Sequence, residues 1–230
     1  MTRPVEISYF SDVLCVWAYV SQVRLDQLKA KMAASIDISY RFISVFGCSA
    51  SRIGRSWEKR GGFEGYARHV ADIGGTFPHV KIHPAVWKSC RPKSSASCHL
   101  FLKALQSLQQ EALLPAVTGD GQTMFEAFAW RARCAFFQDA QDIGNLDTLY
   151  ALAQRMGLPA ASIADRINSG AAMAALCRDL DDKEEYRIEG SPTYLLNNGR
   201  QKLYGNVGYR IIEANIRELL ENPEGQASWC

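Results

Sequence analysis

Ser11-Asp12-Val13-Leu14-Cys15-Val16-Trp17-Ala18-Tyr19-Val20 joins a strand-like run to a helix-like one, and the rest of the chain is organised around it. Before it, Val5-Glu6-Ile7-Ser8-Tyr9-Phe10 places apolar residues at every second position, the period of a strand. After it, Val16 to about Lys31 reads as a helix. Cys15 therefore falls at a strand-to-helix turn, near the first turn of a helix. Backbone N–H groups there lack intrahelical partners, and the helix dipole favours negative charge. A thiol so placed is expected to ionise below its usual range, and the thiolate is the nucleophile. Cys15-Val16-Trp17-Ala18 has the frame of a C-x-x-C motif, with Ala18 where the second cysteine would stand. A lone intracellular cysteine is more often a small buried hydrophobe than a nucleophile, so the rest of the chain has to decide.

The 230 residues are 47% apolar, enough for one large domain or for a core domain with an inserted one. A net charge of +2 is too small to argue for nucleic acid or an anionic membrane. No apolar run approaches the ~20 residues of a membrane span. Met1-Thr2-Arg3-Pro4 enters the first strand without a signal-peptide region, so the expected location is cytoplasmic, where thiols stay reduced. The seven scattered cysteines accordingly read as mostly free thiols.

Ile36, Ile38, Tyr40 and Phe42 alternate with Asp37, Ser39 and Arg41, a strand with one covered face and a place at a sheet edge. Residues 47–92 read as irregular, with a short helix from Phe63 to about Ile73; they form either a binding lid or a surface excursion pinned by Trp57, Tyr66, Phe77 and Trp87. Arg52, Arg55, Lys59 and Arg60 cluster there, as a solvated face or as a clamp for a carboxylate. From Ser94 to Asp182 the pattern is helical. Phe101, Leu105 and Leu108 share one face after a serine cap, and Thr123-Met124-Phe125-Glu126 has capping-box form. Phe125, Phe128, Ala132 and Phe136 line the next helix, and Met173, Leu176, Cys177 and Leu180 mark the last helix of the block. Two strand-like runs, Thr193–Asn197 and Arg200–Tyr204, flank Asn198-Gly199, a hairpin signal. A helix follows from about Tyr209 to Glu221, with Ile212, Ile216 and Leu219 on one face and Glu213–Arg217 paired on another. The tail from Asn222 reads as frayed.

The order β-α-β, helical block, β-β-α is that of an α/β thioredoxin-like fold carrying an inserted all-helical domain. The expected division is 1–90 with 184–230 for the thioredoxin-like part and 91–183 for the insert. The chain also resembles the DsbA superfamily, in its FrnE-like and 2-hydroxychromene-2-carboxylate isomerase branch. The resemblance rests on Tyr9-Phe10-Ser11-Asp12 through Tyr19, on Ser94 through Leu100, on Phe136-Phe137 through Asp147, and on Gly190-Ser191-Pro192-Thr193 with Asn198-Gly199 and Tyr204-Gly205-Asn206. It implies a cis bond at Pro192, and an extended substrate backbone held beside it. Two departures stand out: Val16 replaces the family's proline, and Ala18 replaces the resolving cysteine.

Cys15 is then the candidate catalytic residue, expected to be the fastest of the seven thiols to alkylate. Asp12, Trp17, Ser191, Pro192 and Thr193 are the substrate-binding candidates, and Cys98 and His99 the accessory ones. Asp12 could instead cap the helix entry, Trp17 pack beside the thiol, and His99 make a structural hydrogen bond. No metal site is expected: His79 and His83, between Pro78 and Pro84, are not aligned by a helix. The resemblance implies monothiol redox chemistry, with mixed disulfides to glutathione or protein thiols. It leaves open a glutathione-dependent isomerase or transferase, a binding module without catalysis, and a homo-oligomer. No tightly bound cofactor is expected, with glutathione as the candidate cosubstrate, and neither nucleic acid nor membrane is an expected partner.

Overall fold

Val5, Ile7 and Tyr9 turn to one face of strand β1 (Val5–Ser11) and meet Leu25, Leu28 and Met32 of helix α1 (Val16–Met32). The computed structural model describes residues 3–115 and 122–221, so the tail from Asn222 lies outside the described residues. Strand β2 (Ile36–Phe42) runs parallel to β1 in register from Val5 opposite Ile36 to Ser11 opposite Phe42. Strands β3 (Thr193–Leu196) and β4 (Gln201–Tyr204) complete a sheet of order β2-β1-β3-β4, with β3 antiparallel to β1. The chain's two ends thus share one sheet, and β2 takes the edge its alternation suggests. Helix α8 (Tyr209–Glu221) lays Ile212, Ile216 and Leu219 on the same face as α1. Its Arg217 donates to Glu213 at 2.7 Å. On the other face a smaller group, Phe10, Ile43, Ile188 and Leu195, packs together.

The hairpin turn is longer than the Asn198-Gly199 dipeptide suggests. The strands stop at Leu196 and resume at Gln201, and Asn197, Asn198 and Gly199 all have positive φ. Asn197 explains the shift. Its side chain accepts from Glu6 N–H and its own N–H donates to Glu6 O, which draws it to β1 and away from β4.

Between β2 and β3 lie helices α2 (Gly62–Thr76), α3 (Ala96–Gln110), α4 (Met124–Phe137), α5 (Leu146–Arg155), α6 (Ala160–Asn168) and α7 (Ala171–Glu185). Thr123 and Glu126 form the full capping box of α4, and Phe101 stacks on Phe128 at 5.2 Å. Tyr19 of α1 stacks on Phe137 of α4 at 4.6 Å, so one apolar cluster runs from the Val13–Val20 stretch into the helical block. Helix α7 departs from the sequence reading. Met173 and Cys177 are exposed, and the buried stripe is Ala172, Leu176 and Asp179. Asp179 belongs there because it accepts from Lys103 Nζ at 3.0 Å and from Phe42 N–H at 2.8 Å. Gln106 likewise donates to Tyr40 O. Side chains of α3 and α7 thus satisfy the free edge of β2, which would otherwise present unpaired groups.

Residues 47–92 hold one π-helical turn (Ala50–Arg55) and a short 3-10 turn before α2. Trp87 is 0% exposed, stacked on Phe46 at 5.4 Å and edge-on to Phe136 at 5.2 Å. The segment is pinned by its aromatics, as one of the two sequence readings has it, and it also supplies a wall of the groove described next. No helix among the described residues is long and apolar enough to cross a membrane.

Candidate active site

The turn from β1 to α1 is built on Asp12. Its carboxylate accepts from Leu14 N–H at 2.8 Å through one oxygen, and from Phe46 N–H and Ser95 Oγ, each at 2.8 Å, through the other. Its carbonyl accepts from Cys15 N–H. One side chain therefore fastens the turn, the loop after β2 and the start of α3. Asp12 is 0% exposed, so it lies beneath the groove and organises it, where the sequence reading had it binding substrate. Ser95, spent on Asp12, does not cap α3; Ser94 Oγ accepts from Ala96 N–H instead.

Cys15 sits at the N-cap of α1, with φ −80° and ψ 116°. Its Sγ makes no capping bond to the helix and donates to Ser191 O at 3.2 Å. Ser191 Oγ in turn accepts from Asp12 N–H at 2.9 Å, and the Ser191–Pro192 bond is cis. The start of the hairpin and the thiol turn are thus laced together by two hydrogen bonds. Ser191 lines the groove with Cys15, whereas Pro192 and Thr193 are buried behind it. Thr193 Oγ1 bonds to Gly190 O. A Cβ on Gly190 would come within 2.8 Å of the Tyr204 hydroxyl, so a side chain there would push the exposed Tyr204 ring aside.

The expected depression of the Cys15 pKa is not what this geometry does. Burial pushes the thiol up and outweighs the Ser191 side chain and the nearby Ala18 and Trp17 amides, which favour the thiolate; the Asp12 carboxylate adds to the rise. Only 6% of the residue is exposed, and its proton is engaged by a carbonyl, a contact available to the thiol and not to the thiolate. Cys48 behaves in the opposite way. It is exposed at the start of the π-helical turn, where hydrogen bonds from the Ser51 side chain and backbone, then the Ala50 amide and the Arg55 charge, bring its pKa down.

The groove over Cys15 has a volume of about 390 Å³. It is lined by Val16 and Trp17 of α1 and by residues 43–46, which follow β2. Arg52, Trp57, Tyr66 and His69 also line it, as do Lys183, Glu189 and Tyr204. Trp57, Tyr66 and His69 are one aromatic cluster, with Trp57 about equally 5.0 Å from each of the other two rings. Larger cavities of about 580 and 530 Å³ lie between α3 and α7 and between α1 and α4. Neither has a cysteine in its wall.

The accessory candidates fall below the groove. Cys98 is 0% exposed and burial drives its thiol far up, which removes it as a resolving thiol within reach of the groove. His99, also 0% exposed, accepts from Val13 N–H through Nε2 and stacks on Phe42 at 5.3 Å. Burial lowers its pKa to about 4, so it is a neutral structural ring. Arg133 is the buried residue that sequence reasoning missed. It is 4% exposed and donates to Asp12 O and to Ser11 Oγ at 3.0 Å. Its signal was present: it stands four residues after Ala129 and eight after Phe125, on the apolar side of α4. Lys183, Glu189 and Tyr204 gave no local signal, because three separate segments bring them to the groove.

A sequence comparison with known families matches residues 93–217 to the DSBA-like thioredoxin domain. That span holds the helical block and the cis-proline hairpin and stops short of the Cys15 turn. No curated protein sequence matches the chain. Among solved structures, 2-hydroxychromene-2-carboxylate isomerase superposes with a TM-score of 0.64 at 13% identity, over 97% of this chain and 100% of that one. The cytosolic disulfide reductase DsbM from Pseudomonas aeruginosa superposes at 0.61 and 17% identity, over 92% of this chain and 98% of that one. The same reductase with GSH gives 0.58 over 95% and 98%. With more than half of its length matched, and the fold shared along nearly all of it, the chain belongs to the DSBA-like thioredoxin domain family.

Proposed function

We propose that this chain is a monothiol thiol–disulfide oxidoreductase, with Cys15 exchanging with glutathione or protein thiols in the reducing direction. One observation carries the reading. Cys15 Sγ lies at the floor of an open groove, 3.2 Å from the carbonyl of Ser191, where the cis bond leads into the hairpin. Ala18 supplies no second thiol and Cys98 is sealed away, so an external thiol has to resolve the intermediate.

In the exchange, Cys15 attacks the glutathione sulfur of a mixed disulfide R–S–S–G. That S–S bond breaks, a Cys15–S–S–G bond forms, and the departing R–S⁻ takes up the proton that Cys15 gave away. A glutathione thiolate then attacks the glutathione sulfur on Cys15, releasing glutathione disulfide and restoring the thiol. The net change is R–S–S–G plus G–SH to R–SH plus G–S–S–G, with no other oxidant or reductant. Once Cys15 has lost its proton, Ser191 O is open to an N–H of the incoming chain.

The raised pKa sets direction and rate. Strong thiol oxidants stabilise their reduced thiolate, which makes the thiolate a good leaving group; burial of Cys15 does the reverse. Each unit of rise lowers the thiolate fraction about tenfold at neutral pH and returns about threefold in nucleophilicity. The result is a slow exchanger, not an inert one. The six described cysteines are free, which suits a reducing compartment, and we assign the chain to the cytoplasm on that reading.

Glutathione-dependent reduction of a glutathionylated peptide tests the proposal. Wild type and Cys48→Ser should both accelerate it with ping-pong kinetics, and Cys15→Ser should not. Activity that survives Cys15→Ser would favour the isomerase or transferase reading instead. The Trp17, Trp57 and Tyr66 side chains around the groove give that alternative its support, since they suit a flat organic substrate.

A further inference from the structure

Arg52, Arg55, Lys59, Arg60 and Arg68 stand between Cys48 and His69, where the acidic residues are Glu58 and Glu64. The stretch thus holds five of the chain's 26 basic side chains and two of its 24 acidic ones, so acidic side chains are in slight excess elsewhere. Glu64 is held by Arg91 at 3.1 Å. All five cations are exposed, and no carboxylate among the described residues pairs with any of them. Arg178, beside α3, is also unpaired, but it shares its cavity with Asp179, Asp181 and Asp182. The five form one ridge. Arg60 lies over the Trp57 ring, 5.2 Å from its centroid, and Trp57 and Arg52 line the groove over Cys15. The Arg68 guanidinium lies 3.3 Å from where a Cβ of Gly61 would stand, next to Arg60. Arg55 shares the π-helical turn with Arg52, and such turns recur at functional sites. The ridge is firmly seated. Ile53 is buried beneath the π-helical turn, and a Cβ on Gly65 of α2 would lie 1.8 Å from the Arg60 carbonyl oxygen, so only glycine lets that turn approach.

Like charges on successive turns repel one another and do not stabilise the fold. A single-sign field of this kind draws an oppositely charged partner and speeds its arrival. We propose that the ridge docks an acidic stretch of polypeptide flanking the disulfide that Cys15 attacks, so that protein substrates with Asp or Glu near the reacting cysteine are preferred. The inference rests on the exchange reaction above and names the class of R in R–S–S–G. Two observations favour a polypeptide over a nucleic acid. The ridge runs into the groove at Trp57 and Arg52, where Cys15 needs a sulfur to attack and Ser191 O can take an N–H, and a nucleic acid supplies no such sulfur. The slight acidic excess over the rest of the chain would also repel a long polyanion, whereas a short acidic segment meets the ridge alone.

The experiment compares three glutathionylated peptides that are alike except beside the cysteine, where they carry Glu, Gln or Lys. Their kcat/KM should rank Glu above Gln above Lys, and the spread should collapse at high salt. The double variant Arg55→Gln, Lys59→Gln, which leaves the groove lining intact, should lower the Glu-to-Gln ratio by about 2- to 10-fold. The Gln peptide and the reaction with glutathione disulfide should keep their rates. Equal rates for the three peptides, a ratio that the double variant does not move, or equal slowing of every substrate overturns the proposal. So does a single-stranded oligonucleotide that binds the ridge while the Glu peptide gains nothing. Binding of the same three sequences, with Ser in place of the modified cysteine, to the Cys15→Ser protein reads the ranking without chemistry. Failure to turn over any of the peptides defeats the exchange reaction itself, and the binding ranking still decides for or against the ridge.

Discussion

Cys15 and Cys48 show how far a thiol's surroundings outweigh its place in the sequence. Both precede helical turns, yet one is sealed against a carbonyl and the other meets water. Iodoacetamide is small and neutral and reads exposure and ionisation. Cys48 should therefore label fastest among the described thiols at pH 7, with Cys15 slow and still accelerating above pH ~8.5, the ordinary thiol value. Rate-against-pH profiles read at each cysteine check this, and a Cys15 plateau below pH 8 would contradict it. The sequence placed Cys15 at the entry of α1, where the structure has it, and misjudged its proton. Helix position is local and legible, whereas burial by Trp17 and by the loops following β2 and preceding β3 arrives from the whole chain. Asp12 is a similar case. Helix entry was one of its two readings, but its grip on Phe46 and Ser95 spans 34 and 83 residues, which no window shows.

At the scale of elements, the first turn of α1 carries the chemistry. Cys15 is its N-cap and Ala18 its third helical residue, facing one another one turn apart. Ala18→Cys should accordingly form a disulfide with Cys15, because neighbouring turns bring the two Cα atoms into the ~4.4–6.8 Å range such bonds need. Ala18 is 0% exposed, so the added sulfur has to tuck against the thiol. Loss of two free thiols on mild oxidation, together with a gain of dithiol reductase activity, is the expected outcome; two thiols that persist would show the turn is closed to a second sulfur. The elements themselves were largely legible: strand alternation, the capping box, the α8 stripe and the β-α-β start all came from periodicity. Helix α7 was misphased because Asp179 looks like a solvent residue until Lys103 and the Phe42 N–H are placed beside it.

For the whole molecule, we propose that 91–183 is an insert in the thioredoxin-like part, with the junction locked by buried polar groups. His99 of α3 is one of them, bonded to Val13 and stacked on Phe42. Its pKa falls from 6.5 unfolded to about 4 folded, so the unfolded chain binds more protons between those values. Stability should therefore be full above about pH 6.5 and fall as pH drops towards 4, by up to about 3 kcal/mol from this group alone. Denaturant titrations at pH 7 and pH 5 measure it, and His99→Gln should flatten the difference. The central claim is that the exchanging thiol is Cys15, chosen by its groove over the more exposed Cys48. Peptide mapping after brief incubation with glutathione disulfide tests that most directly. One glutathione is expected, on Cys15, retained in Cys48→Ser and absent in Cys15→Ser; glutathione on Cys48 with Cys15 left as free thiol would show that Cys15 is not the exchanging thiol.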